Sequence, residues 1–294
     1  SQLSVGTFEY ANATQGLEGL KQLAEYAISR HYPELTNQEN PYLGLLSGVI
    51  ERQASLVAAW MHIGFIHGVM NTDNLSIIGL TIDFGPYGWI DNFDPGWTPN
   101  TTDAQGKRYC YGRQPDLGRW NMERLADALA TILPNTKGLA DAIAHFDLTY
   151  MKHLTQSLAG KFGLDGWQDS DGEMVNRIFE LMSRAEVDMT LFFTKLAALD
   201  IADPSIAVIS EAFYIEEGLK QFGDDVQQWL TTYAKRVQQS TLSAEARLDN
   251  MRTHNPRYVL RNYMAQEAID LLTEKGDNSR LLTLLELLKN PYTC

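Results

Sequence analysis

Two carboxylates and a carboxamide lie close together in one short stretch of this chain. Asp73 and Asn74 end the run His67-Gly68-Val69-Met70-Asn71-Thr72-Asp73-Asn74, and Asp83 opens Asp83-Phe84-Gly85. These groups carry hard oxygen donors. Magnesium takes a few such ligands in octahedral geometry and leaves its other positions to water or phosphate oxygen. The intervening run, Leu75-Ser76-Ile77-Ile78-Gly79-Leu80-Thr81-Ile82, is rich in β-branched residues with a glycine in its middle. That pattern predicts a tight hairpin over 75–83 whose open end brings Asn74 and Asp83 side by side. Upstream, Leu56, Trp60 and Ile63, with Ala59, recur at helical spacing and predict a buried helix that delivers the loop.

Order and spacing match the catalytic segment of protein kinases, His-Arg-Asp, four residues and Asn, then Asp-Phe-Gly. His67 and Asn74 are seven positions apart, as in the kinase loop, and Asp83-Phe84-Gly85 is a literal match. In kinases the Asn amide and the Asp-Phe-Gly carboxylate hold the metal that neutralises phosphate charge. One position departs: Val69 stands where a kinase has its catalytic Asp, and the nearest carboxylate is Asp73. The metal-holding half of a phosphoryl-transfer site is kept, while the base is relocated or lost. Taken alone, Asp-Phe-Gly is a three-residue coincidence and Asn-Thr-Asp-Asn an ordinary turn. In this order, with a hairpin between them, chance is the weaker explanation.

The surrounding residues extend the match. Trp60-Met61-His62-Ile63-Gly64-Phe65-Ile66 leads into the loop, and Leu80-Thr81-Ile82 leads into Asp83-Phe84-Gly85-Pro86-Tyr87-Gly88. Phe93-Asp94-Pro95, Gln114-Pro115 and Trp120-Asn121 follow, then Asn255-Pro256-Arg257-Tyr258-Val259-Leu260-Arg261-Asn262-Tyr263. Together these segments resemble the selenoprotein O family of kinase-like proteins, also called YdiU, and Val5-Gly6-Thr7-Phe8-Glu9 is similar to another family segment. The resemblance spans nearly the whole chain, with residues 136–245 supported by helical pattern alone. It implies transfer of AMP, rather than phosphate, from ATP to hydroxyl side chains (Ser, Thr or Tyr) of protein substrates, with Mg2+. It also implies that Asp73 is the proton acceptor, that Asn74 and Asp83 are magnesium ligands, and that Asp83 also contacts the nucleotide.

Departures from the family pattern set further expectations. Family members carry, before the segment at Val5, a smaller lobe with a Gly-rich stretch, a phosphate-binding Lys and its Glu partner; this chain begins at Ser1. Ser4 falls where the resemblance implies an Arg contacting phosphate, and a hydroxyl cannot replace that cation. Pro99 stands where the family's usual cysteine follows Phe93-Asp94-Pro95, and Cys294 is not assigned the redox role of the family's terminal Cys or selenocysteine. The expected organisation is one kinase-like larger lobe over 1–294, the small nucleotide lobe absent, with a candidate sub-boundary near 163–172. Such a chain is expected to bind ATP weakly and to transfer AMP at no useful rate by itself. Two alternatives stay open: kinase-type phosphoryl transfer with Asp73 as the base, and a non-catalytic pseudokinase-like scaffold.

The predicted fold class is mainly α, a protein-kinase-like larger lobe with a short β-hairpin carrying the metal site. Helices are predicted near 15–31, 40–62, 121–132, 136–158, 172–198, 206–236, 241–251, 258–274 and 278–289, with a loop-rich stretch over 86–119. A net charge of −13 argues against a nucleic-acid partner, whose phosphates need a basic surface. Two cysteines, Cys110 and Cys294, make no disulfide framework and fit a reducing compartment, the cytoplasm or, in a eukaryote, the mitochondrion. No apolar run approaches a bilayer span, and the chain is expected to be a monomer without membrane contact. His62 and His67 do not share a helix face and are not expected to bind zinc. His67 is expected to brace the loop. Asp165, Asp169 and Asp171 only faintly suggest a calcium loop, and Asp171 is read as a helix cap. Arg252, Arg257 and Arg261 are read as surface salt-bridge partners. Tyr87, Trp89, Phe93 and Trp97 could form a substrate shelf or pack beneath the loop.

Overall fold

The structure, a computed structural model, describes residues 3–292. In chain order it comprises α1 (Val5–Thr14), α2 (Gly16–His31), α3 (Pro41–Ile63), β1 (Phe65–Ile66), β2 (Gly88–Trp89) and α4 (Gln114–Ala130). There follow α5 (Leu139–Lys161), α6 (Asp171–Arg184), α7 (Met189–Leu196), α8 (Glu216–Gln238), α9 (Ala244–His254), α10 (Asn262–Lys275) and α11 (Ser279–Lys289). The mainly helical class agrees with the hydrophobic periodicity. Two compact units divide the chain. One holds residues up to Met61 with Ile66–Tyr87 and Thr98–Leu154; the other holds His62–Phe65, Gly88–Trp97 and the residues from Thr155 onward. Residues 163–172 fall within the second unit.

The first unit contains the predicted loop and the elements that hold it. α1 starts at a capping box: Ser4 Oγ accepts the Thr7 N–H, and Thr7 Oγ1 accepts the Ser4 N–H, which satisfies two end donors reciprocally. Sequence periodicity misses this helix, because it is short and the reading of the opening residues rests on a motif. The Val5 N–H bonds the Leu75 carbonyl and the Ile77 N–H bonds the Leu3 carbonyl, so the start of the chain is laced along the predicted hairpin. α3 forms where predicted, but its buried stripe is Val49, Ile50, Gln53, Ala54, Val57 and Ala58. Ala59 is exposed and Leu56 and Ile63 only half-buried, so of the four predicted residues Trp60 alone is buried. The stripe runs along adjacent i, i+4 rows, which the sparser set named from sequence did not mark.

The second unit packs on aromatic rings. α6 buries Met174, Val175, Ile178, Leu181 and Met182, and α8 buries Phe222, Val226, Trp229, Leu230, Tyr233 and Val237. Trp229 and Tyr233 stack with ring centres 5.3 Å apart, and Phe162 meets Phe193 edge-on at 5.0 Å. Their polar ends are satisfied: Trp229 Nε1 donates to the Met174 carbonyl and the Tyr233 hydroxyl to the Phe162 carbonyl. The single helix predicted over 172–198 is two. Glu186 takes a left-handed φ of 51° between α6 and α7, and Asp188 then caps α7 by accepting the Leu191 N–H at 2.8 Å. The helix predicted over 206–236 is likewise replaced by a 3-10 segment over Ile206–Ala212 and then α8.

Candidate active site

The loop His67–Asn74 is held at nearly every residue by groups of the first unit. The His67 N–H donates to Gln114 Oε1 at 3.0 Å, at the start of α4. His67 Nε2 meets the Ile82 carbonyl at 2.8 Å; a carbonyl only accepts, so Nε2 carries the proton and Nδ1 is left to accept the Val69 N–H. Burial lowers the His67 pKa, keeping the ring neutral, which is the form this bonding needs. His67 thus braces the loop against the residue preceding Asp83. The Gly68 carbonyl accepts from Asn100 Nδ2 and the Met70 carbonyl from Asn121 Nδ2, both at 3.0 Å. Gly68 has φ 81°, and a Cβ there would lie 2.1 Å from the Pro86 carbonyl oxygen. Only glycine permits that approach.

The three predicted residues come next. Asn71 caps a 3-10 turn over Thr72–Asn74, its side chain accepting the Asn74 N–H at 3.2 Å. Asn74 is mostly buried, and its Nδ2 donates to the Val69 carbonyl at 3.0 Å. That bond fixes the amide orientation and reserves Oδ1 for another partner. Asp73 is exposed and its carboxylate lies against α1, where a Cβ on Gly6 would stand 2.1 Å from Asp73 Oδ1. The predicted hairpin is reduced to a single bridge, Leu75 with Thr81, turning at Gly79 (φ 70°). Asn74 precedes the first arm of this turn and Asp83 follows the second, and the His67 bond to the Ile82 carbonyl ties the second arm to the loop. Asp83 is exposed and holds φ 55°, and its carbonyl accepts the Gly85 N–H at 2.8 Å. A left-handed non-glycine residue costs about 1–2 kcal/mol and survives where the surroundings impose it, as at functional sites.

The donor chemistry suits magnesium. Among the described residues no cluster of three or more His, Cys, Asp or Glu side chains could hold a metal. One amide oxygen and one or two carboxylates are instead the sparse hard set that leaves most positions of Mg2+ to water and phosphate.

Other predicted residues are placed elsewhere. Arg261 is not a surface partner: it is 8% exposed and pairs with Asp188 at 2.8 Å and Asp91 at 2.5 Å, while also donating to the Tyr214 hydroxyl. Arg252 does make a surface contact, 3.9 Å from Asp249. Asp171 does not cap α6 from outside; it is the buried first residue of that helix, paired with Arg236 at 2.7 Å and accepting the Gln168 N–H. Phe93 stacks on Phe179 at 4.8 Å and Trp89 meets Phe65 edge-on at 5.0 Å, so both serve packing in the second unit. His62 bonds the His254 carbonyl. Cys110 is buried and unpaired, and Cys294 lies outside the described residues. Sequence reasoning missed Gly6, Gly68, Asn100 and the supporting roles of Gln114 and Asn121. The available signal was that the last two are polar residues inside quoted motifs, with no chemistry of their own to explain them.

Comparison with known proteins matches the sequence of this chain to one family. A family model described as protein adenylyltransferase SelO matches residues 1–289. A protein nucleotidyltransferase YdiU of Methylobacillus flagellatus is 45% identical over 294 residues, covering 99% of this chain and 57% of the relative. Proteins of the same name from Tolumonas auensis and Xanthomonas axonopodis pv. citri are 48% and 46% identical, covering 93% and 99% of this chain and 53% and 56% of their own lengths. The chain therefore spans about half the length of the curated relatives it matches. It belongs to the SelO (YdiU) family of protein adenylyltransferases.

Proposed function

We propose that this chain carries the catalytic centre of a protein adenylyltransferase on the larger lobe of a kinase-like fold, moving AMP from ATP to Ser, Thr or Tyr hydroxyls of protein substrates. The observation that supports the reading is the braced loop and turn, in which His67 bonds the carbonyl of Ile82 beside Asp83, in a member of this family. Asn74 and Asp83 would hold magnesium, which when bound supplies charge neutralisation to the phosphates. Asn74 offers Oδ1, because its amide nitrogen is committed to Val69. Asp83 offers an exposed carboxylate to the metal and the nucleotide. Asp73, exposed and set against Gly6, takes the proton of the attacking hydroxyl as the new bond to the α-phosphorus forms and pyrophosphate leaves. His67 takes no proton in this scheme; its ring is neutral and both nitrogens are occupied. The acidic composition fits protein rather than nucleic-acid acceptors. Among the described residues no helix is long and apolar enough to cross a membrane. The relatives are bacterial, which supports a cytoplasmic setting and gives the mitochondrial alternative none.

Intact-mass analysis of the protein, joined to the smaller lobe of a family member, and an acceptor protein after incubation with ATP and magnesium tests this. An added AMP supports the proposal. An added phosphate selects the kinase alternative, and unchanged masses with this protein beside an active relative as control select the scaffold.

A further inference from the structure

The turn between the two predicted metal ligands does not hold itself. Asn74 immediately precedes its first arm, Asp83 follows its second, and a single bridge, Leu75 with Thr81, joins the arms. A two-stranded turn is marginally stable at best in water. Its shape, and with it the separation of Asn74 and Asp83, must be imposed by neighbours.

α3 supplies them. Gln53 is fully buried and donates its Nε2 to the Ser76 carbonyl at 2.5 Å, on the first arm. Trp60 donates its Nε1 to Thr81 Oγ1 at 3.0 Å, on the second arm. The two residues are seven positions apart, close to two helical turns, so they share a face and stand about 10 Å apart along the axis. Next to Gln53 the turn seats on the helix backbone: a Cβ on Gly79 would lie 2.7 Å from Arg52 Cβ and 3.0 Å from the Arg52 carbonyl oxygen. Tyr32, just after α2, donates its hydroxyl to the Ile77 carbonyl, and the Arg52 guanidinium covers its ring at 4.2 Å.

The second arm depends most on such ties. Leu75, Ser76 and Ile77 of the first arm are buried, whereas Leu80 is exposed and Thr81 and Ile82 are only half-buried. Burial cannot fix the second arm, so directional bonds do. The Trp60 and His67 rings pack with centres 5.5 Å apart, and His67 Nε2 donates to the Ile82 carbonyl. Two facing rings thus bond Thr81 and Ile82, the two residues directly before Asp83.

We propose that Trp60 and Gln53 are positioning residues for the metal. From one face of α3 they fix the second and first arms, and so set the distance between Asn74 Oδ1 and the Asp83 carboxylate. The proposal rests on the reading of Asn74 and Asp83 as magnesium ligands. Groups that orient metal ligands from outside are worth roughly 10–100-fold in affinity, and action through one or two backbone residues puts these at the low end.

The test is titration of Mn2+, followed by electron paramagnetic resonance, into the protein joined to the smaller lobe of a family member, with an ATP analogue uncleavable between the α- and β-phosphates. Trp60→Phe keeps a ring against His67 and loses the N–H; Thr81→Val removes the acceptor and leaves the indole; Gln53→Met removes the amide. The expected result is roughly tenfold weaker Mn2+ binding in each. Combining Trp60→Phe with Thr81→Val should add no further loss, since both break one bond. Wild-type Mn2+ affinity in the folded variants, even with a lowered Tm, gives Trp60 and Gln53 a purely structural role and overturns the proposal alone. Mn2+ binding that Asp83→Ala leaves unchanged overturns the assignment of the ligands and the proposal with it. Should Trp60→Phe or Gln53→Met fail to fold, Thr81→Val, at a half-buried residue, still decides.

Discussion

Replacing Gly6 by alanine tests whether the position of Asp73 sets the rate. A Cβ on Gly6 would stand 2.1 Å from Asp73 Oδ1 and 3.0 Å from both Asp73 Cγ and its backbone nitrogen, whereas ordinary contact begins at 3.4 Å. The carboxylate must therefore move by about 1.3 Å, and the loop backbone by a few tenths of an ångström, since α1 is pinned to Leu75 by the Val5 amide. A misplacement of about 1 Å can cost roughly 10²-fold in rate, which corresponds to about 2.7 kcal/mol of barrier. Stability moves less. Alanine in a helix gains roughly 0.5–1 kcal/mol over glycine, which offsets part of the crowding. With the family's smaller lobe joined to both proteins, the expected outcome is a roughly 100-fold lower rate of AMP transfer by Gly6→Ala than by wild type, with Tm and magnesium–ATP affinity close to wild type, because neither Asn74 nor Asp83 is touched. Single-turnover transfer at saturating ATP, titration of magnesium–ATP binding and a crystal structure of the variant measure these terms separately. Unchanged transfer, or an Asp73 carboxylate in its wild-type position, refutes the reasoning.

Four further outcomes are expected. With the smaller lobe of the family joined to the chain, Asp73→Ala abolishes transfer while largely sparing magnesium–ATP binding, and Asp83→Ala weakens both; equal loss of binding in the two variants, read by calorimetry, would make Asp73 a ligand or a structural turn residue instead. Gly68→Ala forces a side chain into φ 81° against the Pro86 carbonyl and lowers stability by at least the roughly 1–2 kcal/mol of the left-handed conformation, read from urea melts. Arg261→Ala strands the buried Asp188 carboxylate and costs roughly 3–5 kcal/mol, whereas a loss under 1 kcal/mol would show that network to be dispensable. Lys161 has a folded pKa of about 7 against 10.5 when exposed, so between these values the unfolded chain binds the extra proton and stability rises with pH. Lys161→Met, measured from pH 7 to 10.5, should lose that rise, and neighbouring His62, lowered to about 3, gives none of it in this window.

Much of the fold is legible in the sequence because most helices bury a periodic stripe. α3, α5 and α11 fall within a few residues of their predicted bounds. The break between α6 and α7 is not legible, since apolar spacing continues across it and the residue that turns left-handed is Glu186 rather than glycine. The pairing of β1 with β2 is also hidden, because each strand has only two residues and no alternation can show. At the site, residue types and spacing identify the loop and Asp83 directly. What they cannot show is support from a distance in sequence: Gly6 makes room for Asp73, and Gln114, Asn100 and Asn121 bond the backbone of a loop 32 to 51 positions away. Arg261 differs from its surface reading for a related reason, as its two carboxylate partners, Asp91 and Asp188, come from segments far apart in the sequence.

The central claim is that Asn74 and Asp83 hold the metal on the nucleotide while Asp73 faces the acceptor. A crystal structure with magnesium and an ATP analogue uncleavable between the α- and β-phosphates tests it most directly. The expected result is a magnesium ion bound by Asn74 Oδ1 and the Asp83 carboxylate, with the α-phosphate turned toward Asp73. A nucleotide bound elsewhere, or a metal ligated without Asn74 and Asp83, would contradict it.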